Sequence, residues 1–283
     1  MLGRRSLGAV AIMATLCAAN VTASAFDDAM YPDWKGQWTR ARVPGATGQP
    51  PHDPSRPPGL GQQAPLTAEY QAKFAANLAD QAAGGQGTSE TFVCLPNGMP
   101  RMMAAYEPIE FVVTPDITYI LIDHIEHSRR IYTDGRQWPR EIEPSWVGYS
   151  IGKWVDEDGG GRYDVLVVET RGLRGPRSYD GTGIPFHEDN KTVIKERYFL
   201  DKSNPDLLHV EMTTIDNALT RPWTATKDYR RQTKVFWTDS NCTEGNTHVV
   251  VGKDDYFVSA DGYLMPVRKD QPAPDLRYFK TRK

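Results

Sequence analysis

Residues Arg129 to Pro139, RRIYTDGRQWP, pack three arginines, a tyrosine, an aspartate and a tryptophan around one Asp-Gly. A guanidinium offers an anion a planar fork of donors, and a phenol can donate to developing negative charge. Arg129 and Arg130 are therefore candidate ligand-binding groups and Tyr132 a candidate catalytic one. Asp134-Gly135 is a strong turn dipeptide, because glycine accepts the positive φ of a tight hairpin, and it predicts a hairpin corner. Just upstream, Glu126 and His127 extend the ionisable run. Read as one strand, alternation places Tyr119, Leu121, Asp123, Ile125, His127, Arg129 and Ile131 on one face. It places Ile120, Ile122, His124, Glu126, Ser128, Arg130 and Tyr132 on the other. Each face begins apolar and turns ionisable, which predicts a strand whose far end borders a wet cavity.

Two further acid–base candidates stand apart. In KTVIKERYFL, Thr192, Ile194, Glu196, Tyr198 and Leu200 share a face, so Glu196 points with apolar neighbours. Such a carboxylate becomes a general acid or base through a raised pKa, or it takes a structural arginine such as Arg130 as partner. Glu169 in VLVVET, on a face with Val165 and Val167, poses the same choice. His187 in GTGIPFHEDN sits on a Gly-rich loop, and its ordinary pKa near neutrality suits proton transfer; the alternative is an exposed loop histidine. His124 and His127 fall on opposite faces of a strand, and no H-x-H or H-E-x-x-H occurs, so no metal site is predicted. No Gly-rich phosphate loop and no G-x-S-x-G elbow is present, so no cofactor and no serine-hydrolase chemistry is expected.

The elements that must position these groups are mostly strands. IEFVVTPD, TYILIDHIEHSRRIYTDG, WVGYSIGKWVDEDGGGRYDVLVVET, KTVIKERYFLDKSNPDLLHVEMTTID and WTATKDYRRQTKVFW alternate and are separated by turn signals. That density predicts a mainly β fold, an antiparallel β-barrel or strongly curved sandwich of about eight to ten strands, with room for one small ligand. One helix is predicted over 66–83, with Thr67 as N-cap and Tyr70, Phe74, Leu78 and Ala82 at helical spacing. Residues 42–65 are rich in Pro and Gly and are expected to wrap the surface. The tail 252–283 is expected to be irregular. In WKGQW, Trp34 to Trp38, glycine is expected to permit a close backbone approach at the first strand.

The first 25 residues predict an export signal: Arg4 and Arg5, an apolar run, then Ala23-Ser24-Ala25, with cleavage leaving Phe26 first. A single barrel-like domain, 26–283, is expected in the periplasm or the medium. Cys17 raises lipidation as an alternative, disfavoured by the preceding Leu16. The apolar run is too short to span a bilayer, so no stable membrane insertion is expected. Without the signal, 31 basic residues face 36 acidic ones, which disfavours nucleic acid as a partner. Cys94 and Cys242 are then the remaining cysteines, and an oxidising compartment favours a disulfide between them.

CLPNGMPR (Cys94 to Arg101), RRIYTDGR, GYSIGKW (Gly148 to Trp154), LVVET, Glu196-Arg197 and LTRPW together resemble a family of uncharacterised secreted bacterial proteins, over roughly Pro65 to Cys242. The resemblance implies an exported protein of one architecture and carries no catalytic assignment. The G-x-W at Gly36–Trp38 is similar to the first strand of lipocalin-like barrels. Taken with the barrel, Arg129, Arg130, Glu126, His127, Arg101 and Trp154 are expected to bind the ligand, with His187, Glu196 and Tyr132 catalytic. The expected function is a cofactor-independent enzyme, a lyase, isomerase or hydrolase, using acid–base chemistry on a small aromatic or amphipathic molecule, its ligand anionic or phenolic. The alternative is a periplasmic carrier that binds without catalysis.

Overall fold

Period-two alternation of buried and exposed side chains governs the chain in the computed structural model, which describes residues 26–41, 64–83, 87–88, 95–104, 108–123, 128–175, 177–238, 248–251, 253–258 and 263–273. In the strand Val193–Leu200, Ile194, Glu196 and Tyr198 point inward while Lys195 and Arg197 point out. Nine such strands close into a barrel in chain order: β1 (Gln37–Ala41), β2 (Ile109–Val113), β3 (Ile117–Ile122), β4 (Arg129–Tyr132), β5 (Tyr149–Val155), β6 (Val165–Arg171), β7 (Val193–Leu200), β8 (Leu207–Ile215) and β9 (Trp223–Arg231). β9 returns to β1 antiparallel, which leaves the ring without an exposed edge. The fold is thus mainly β, a closed barrel with one α-helix among the described residues.

Its strands are not all antiparallel. β4 and β5 run parallel through Ile131↔Ser150 and Tyr132↔Ile151. Parity requires such a pair: a ring in which every neighbour is antiparallel needs an even number of strands, and this ring has nine. A parallel pair needs a long return connection rather than a tight turn. Residues 133–148 supply it, so Asp134-Gly135 is a bend in a crossing segment and not a hairpin corner.

The stretch from Tyr119 to Tyr132 is likewise two strands rather than one. β3 and β4 form an antiparallel pair with Tyr119↔Arg130 and Ile120↔Arg129. Reversal of the chain resets which residues face inward. Arg129 therefore joins Ile120 and Ile122 inside the barrel, and Arg130 lies outside.

Segments outside the ring cover its ends. Trp34 enters one end, with its ring 4.8 Å from both Phe111 and Trp154 and 6.0 Å from Tyr198. Gly36, at φ +86°, turns the chain from this plug into β1, and Trp38 Nε1 donates to the Trp34 carbonyl at 3.0 Å. No atom lies within 4 Å of a Cβ built on Gly36, so backbone conformation rather than close approach requires glycine there. Elsewhere Met99, Met102, Met103, Tyr179, Phe186 and Trp223 join the same buried cluster.

The helix α1 (Ala68–Ala82) begins at Thr67, whose hydroxyl accepts from the Tyr70 amide. It buries Tyr70, Phe74 and Asn77, and Asn77 Nδ2 donates to the Thr182 carbonyl at 3.1 Å. The C-terminal region corrects the expectation of an irregular tail. β10 (His248–Val251), β11 (Asp254–Val258) and β12 (Leu264–Pro266) form a separate three-stranded antiparallel sheet.

Candidate functional site

Glu196 occupies the inside of β7 and meets Arg129 from β4. The pair is bidentate, at 2.6 Å to Nη2 and 3.0 Å to Nη1, and the two residues are 2% and 1% exposed. Tyr198 donates to Glu196 Oε1 at 2.6 Å and accepts from Arg129 Nη1 at 2.7 Å. Ser150 and Thr170 accept from Arg129 Nη2 at 3.5 and 3.3 Å. Burial alone would lower the Arg129 pKa; the Glu196 carboxylate and Tyr198 outweigh it and raise it. Burial also drives the Tyr198 phenol well above its ordinary value. The carboxylate is thus committed to a fixed cation and a fixed donor. The network ties β4 to β5, β6 and β7, and of the two sequence readings of Glu196 the structure supplies the structural-arginine arrangement, with Arg129 in place of Arg130.

A second group of inward charges is not committed in this way. Lys227 lies on the inward face of β9 with Trp223, Ala225 and Tyr229, and is 4% exposed. Its Nζ sits over the Tyr179 ring, 4.4 Å from the centroid. No hydrogen-bond acceptor for it is found among the described residues, and none contributes to its titration. Desolvation, helped by the neighbouring Arg40 cation and opposed by Asp180 and Glu196, lowers its pKa to about 7. Arg40, paired in register with Tyr229, places its guanidinium 5.4 Å from that ring and keeps Nη1 buried without an acceptor among the described residues. Desolvation pushes the Tyr229 phenol up to about 12, and desolvation with Asp180 raises that of Tyr179. Asp180 itself accepts from the backbone and hydroxyl of Thr182, and so is partly spent on its own turn.

The arrangement is chemically unusual. Two cations lie close together against aromatic side chains, and no carboxylate among the described residues is hydrogen-bonded to either. Burying charge without a partner costs several kcal/mol, so a lysine here gives up its proton near neutral pH. Its unprotonated amine is a base and a nucleophile, and the arginine beside it can hold an anion. Sequence reasoning passed over Lys227, although period-two reading of WTATKDYRR puts it with Trp223, Ala225 and Tyr229.

The remaining sequence candidates disperse. Arg130 is exposed, with its guanidinium 5.9 Å from the Tyr119 ring. Tyr132 stacks on Tyr149 at 5.0 Å, with the Arg136 guanidinium 3.7 Å from its ring centroid and bound to Asp134. His187 is partly exposed beside Tyr70 of α1, its Nδ1 accepting from the Asp189 amide at 3.2 Å, and no contact joins it to Glu196 among the described residues. Arg101 donates to Ser178 Oγ at 3.3 Å. Trp154 is core, packed on Trp34 and Tyr31. Glu169 faces outward and pairs with Arg171. Glu126, His127, Cys94 and Cys242 lie outside the described residues.

Two surface features remain. A groove of about 430 Å³ crosses the outer face of β5 to β9 over Ile151, Val167 and Thr213. Of its charged walls, Arg197 pairs with Glu211 at 2.7 Å and Lys195 with Glu169 at 3.7 Å, and Lys153 also lines it. Asp156, Asp158 and Asp164 cluster at the β5–β6 tip, where their oxygens accept the amides of Gly160, Gly161 and Glu157. In comparison with known proteins, the chain matches no family model and no curated protein.

Proposed function

We propose that the barrel binds a small amphipathic anion between Arg40 and Tyr179, and transforms it by cofactor-independent proton-transfer chemistry of the lyase or isomerase kind, with Lys227 as the reactive group. The observation that carries this reading is the buried Lys227 amine, without an acceptor among the described residues and beside Arg40, whose Nη1 also lacks one among them. An organic anion would satisfy Arg40, and its apolar body would lie against Tyr179, Tyr229 and Met212. Lys227, whose pKa burial lowers to about 7, can then accept a proton within the site. His187 and Glu196 take no part in that chemistry: one borders the helix, and the other is held by Arg129.

A carrier without turnover is the second reading. It is favoured by the mutual satisfaction of Arg129 and Glu196, which leaves one free base rather than an acid–base pair. Export is part of the same proposal, supported by Arg4, Arg5 and the Ala23-Ser24-Ala25 site, and N-terminal sequencing of the exported protein should read from Phe26.

The test is a panel of aromatic and aliphatic carboxylates, scored for thermal stabilisation and for chemical change. For the enzyme, hits should stabilise the wild type, lose at least about tenfold in affinity in Arg40→Gln, and be consumed by the wild type but not by Lys227→Met. Binding without any product would select the carrier, and a panel that shifts neither melting temperature nor composition would refute both.

A further inference from the structure

We propose that Lys227 forms an imine with a carbonyl compound that also carries an anionic group, such as a 2-oxo or 3-oxo acid. The inference rests on the binding reading above and specifies its substrate class. Geometry separates a nucleophilic from a purely basic role here. A general base that turns over must pass its proton on, ordinarily to a hydrogen-bonded carboxylate, histidine or water chain. Lys227 has no such partner among the described residues: its Nζ lies on the face of Tyr179, and the two carboxylates whose charge acts on it, Asp180 and Glu196, are engaged with Thr182 and Arg129. An amine so placed offers its lone pair to a carbon instead. Desolvation and a neighbouring cation are the two devices that keep a lysine nucleophilic at neutral pH, and Arg40 supplies the second of them.

The same arginine orients the substrate. With the anionic group on Arg40, the carbonyl carbon one or two bonds away is brought toward Nζ. Burial then protects the product, because an imine in water hydrolyses readily.

The bond changes balance without an oxidant. The Nζ lone pair forms a C–N bond, the carbonyl π bond breaks, and its oxygen takes one proton from nitrogen to give the carbinolamine. The second N–H proton leaves with that oxygen as water, and the C=N bond forms. Protonation of this nitrogen by the water just released creates an electron sink that acidifies the adjacent C–H, which connects the imine to proton-transfer chemistry.

The experiment exposes the mature full-length protein to pyruvate, phenylpyruvate or acetoacetate with sodium cyanoborohydride, which delivers hydride to the imine carbon and fixes a secondary amine. Intact mass and peptide mapping then locate the adduct. The expected result is a single adduct on Lys227, formed at pH 7 about tenfold or more faster than on surface lysines such as Lys153 and Lys195, with half-maximal labelling near pH 7. Arg40→Gln should slow it at least about tenfold, a second variant that tests the anion anchor separately from Lys227. Labelling spread over surface lysines, or none on Lys227, would overturn the imine. Thermal stabilisation by the same acids without reductant tells the failures apart: stabilisation without trapping leaves the binding site standing, whereas neither effect removes both.

Discussion

Lys227 sets the strongest expectation at the scale of single residues. Its folded pKa of about 7 lies below the ordinary 10.5, so between those values the unfolded chain binds more protons than the native barrel. Native stability contributed by this group therefore rises as pH increases from 7 toward 10.5, and its burial is most costly below pH 7. Lys227→Met should raise stability at pH 6, on the order of 4 kcal/mol, and the advantage should shrink toward pH 10. Urea unfolding of both proteins at pH 6, 8 and 10 measures it, and a constant difference across the series would contradict the assignment. Replacing Glu196 should destabilise. Glu196→Gln leaves Arg129 buried against a neutral amide and should cost about 3 to 5 kcal/mol by chemical denaturation. Arg129→Met combined with Glu196→Leu should recover most of that loss, because the double replacement leaves no unmatched charge.

At the scale of elements, the parallel β4·β5 pair depends on how the crossing segment 133–148 ends. Gly148, at φ +68°, delivers the chain into β5, and a Cβ there would lie 2.7 Å from the Arg171 carbonyl and 2.7 Å from Leu173 Cδ2. Gly135, at φ +77°, begins the same segment with nothing within 4 Å. Both positions strain an L residue, and only one also collides. Gly148→Ala should therefore cost about 2 to 4 kcal/mol and Gly135→Ala about 1, as read by the shift in denaturation midpoint. Equal losses would mean that backbone conformation alone matters at both ends.

Across the whole molecule, pairing is uneven around the ring. β7 and β8 match from Val193↔Ile215 to Leu200↔Leu208, and β8 continues into β9 along its length. β4 meets β5 at Ile131↔Ser150 and Tyr132↔Ile151, where Arg129 reaches across to Glu196 on β7. Amide hydrogen exchange should be slowest in β6 to β9 and fastest at the β4·β5 seam, by about a hundredfold or more. Uniform protection around the barrel would show that the seam is as firmly closed as the long ladders.

Much of this architecture could be read from residues in order. Thr67 and the spacing of Tyr70 and Phe74 specify α1, since capping and helical periodicity are local properties. Alternation along KTVIKERYFL put Glu196 inside with Ile194 and Tyr198, and the Ser203-Asn204-Pro205 turn joined β7 to β8, because a strand's two faces follow from its own sequence. The overall acidity and the β class rest on the same local evidence. What the residues could not decide was partnership. Whether Arg129 or Arg130 meets Glu196 depends on where β3 reverses into β4, since one turn resets the parity of every residue beyond it. The parallel seam follows from the odd number of strands that close the ring, which no strand carries in itself. The shifted titration of Lys227 arises from desolvation and then from Arg40 on distant β1, and only closure of the barrel removes the water that would otherwise keep its amine charged.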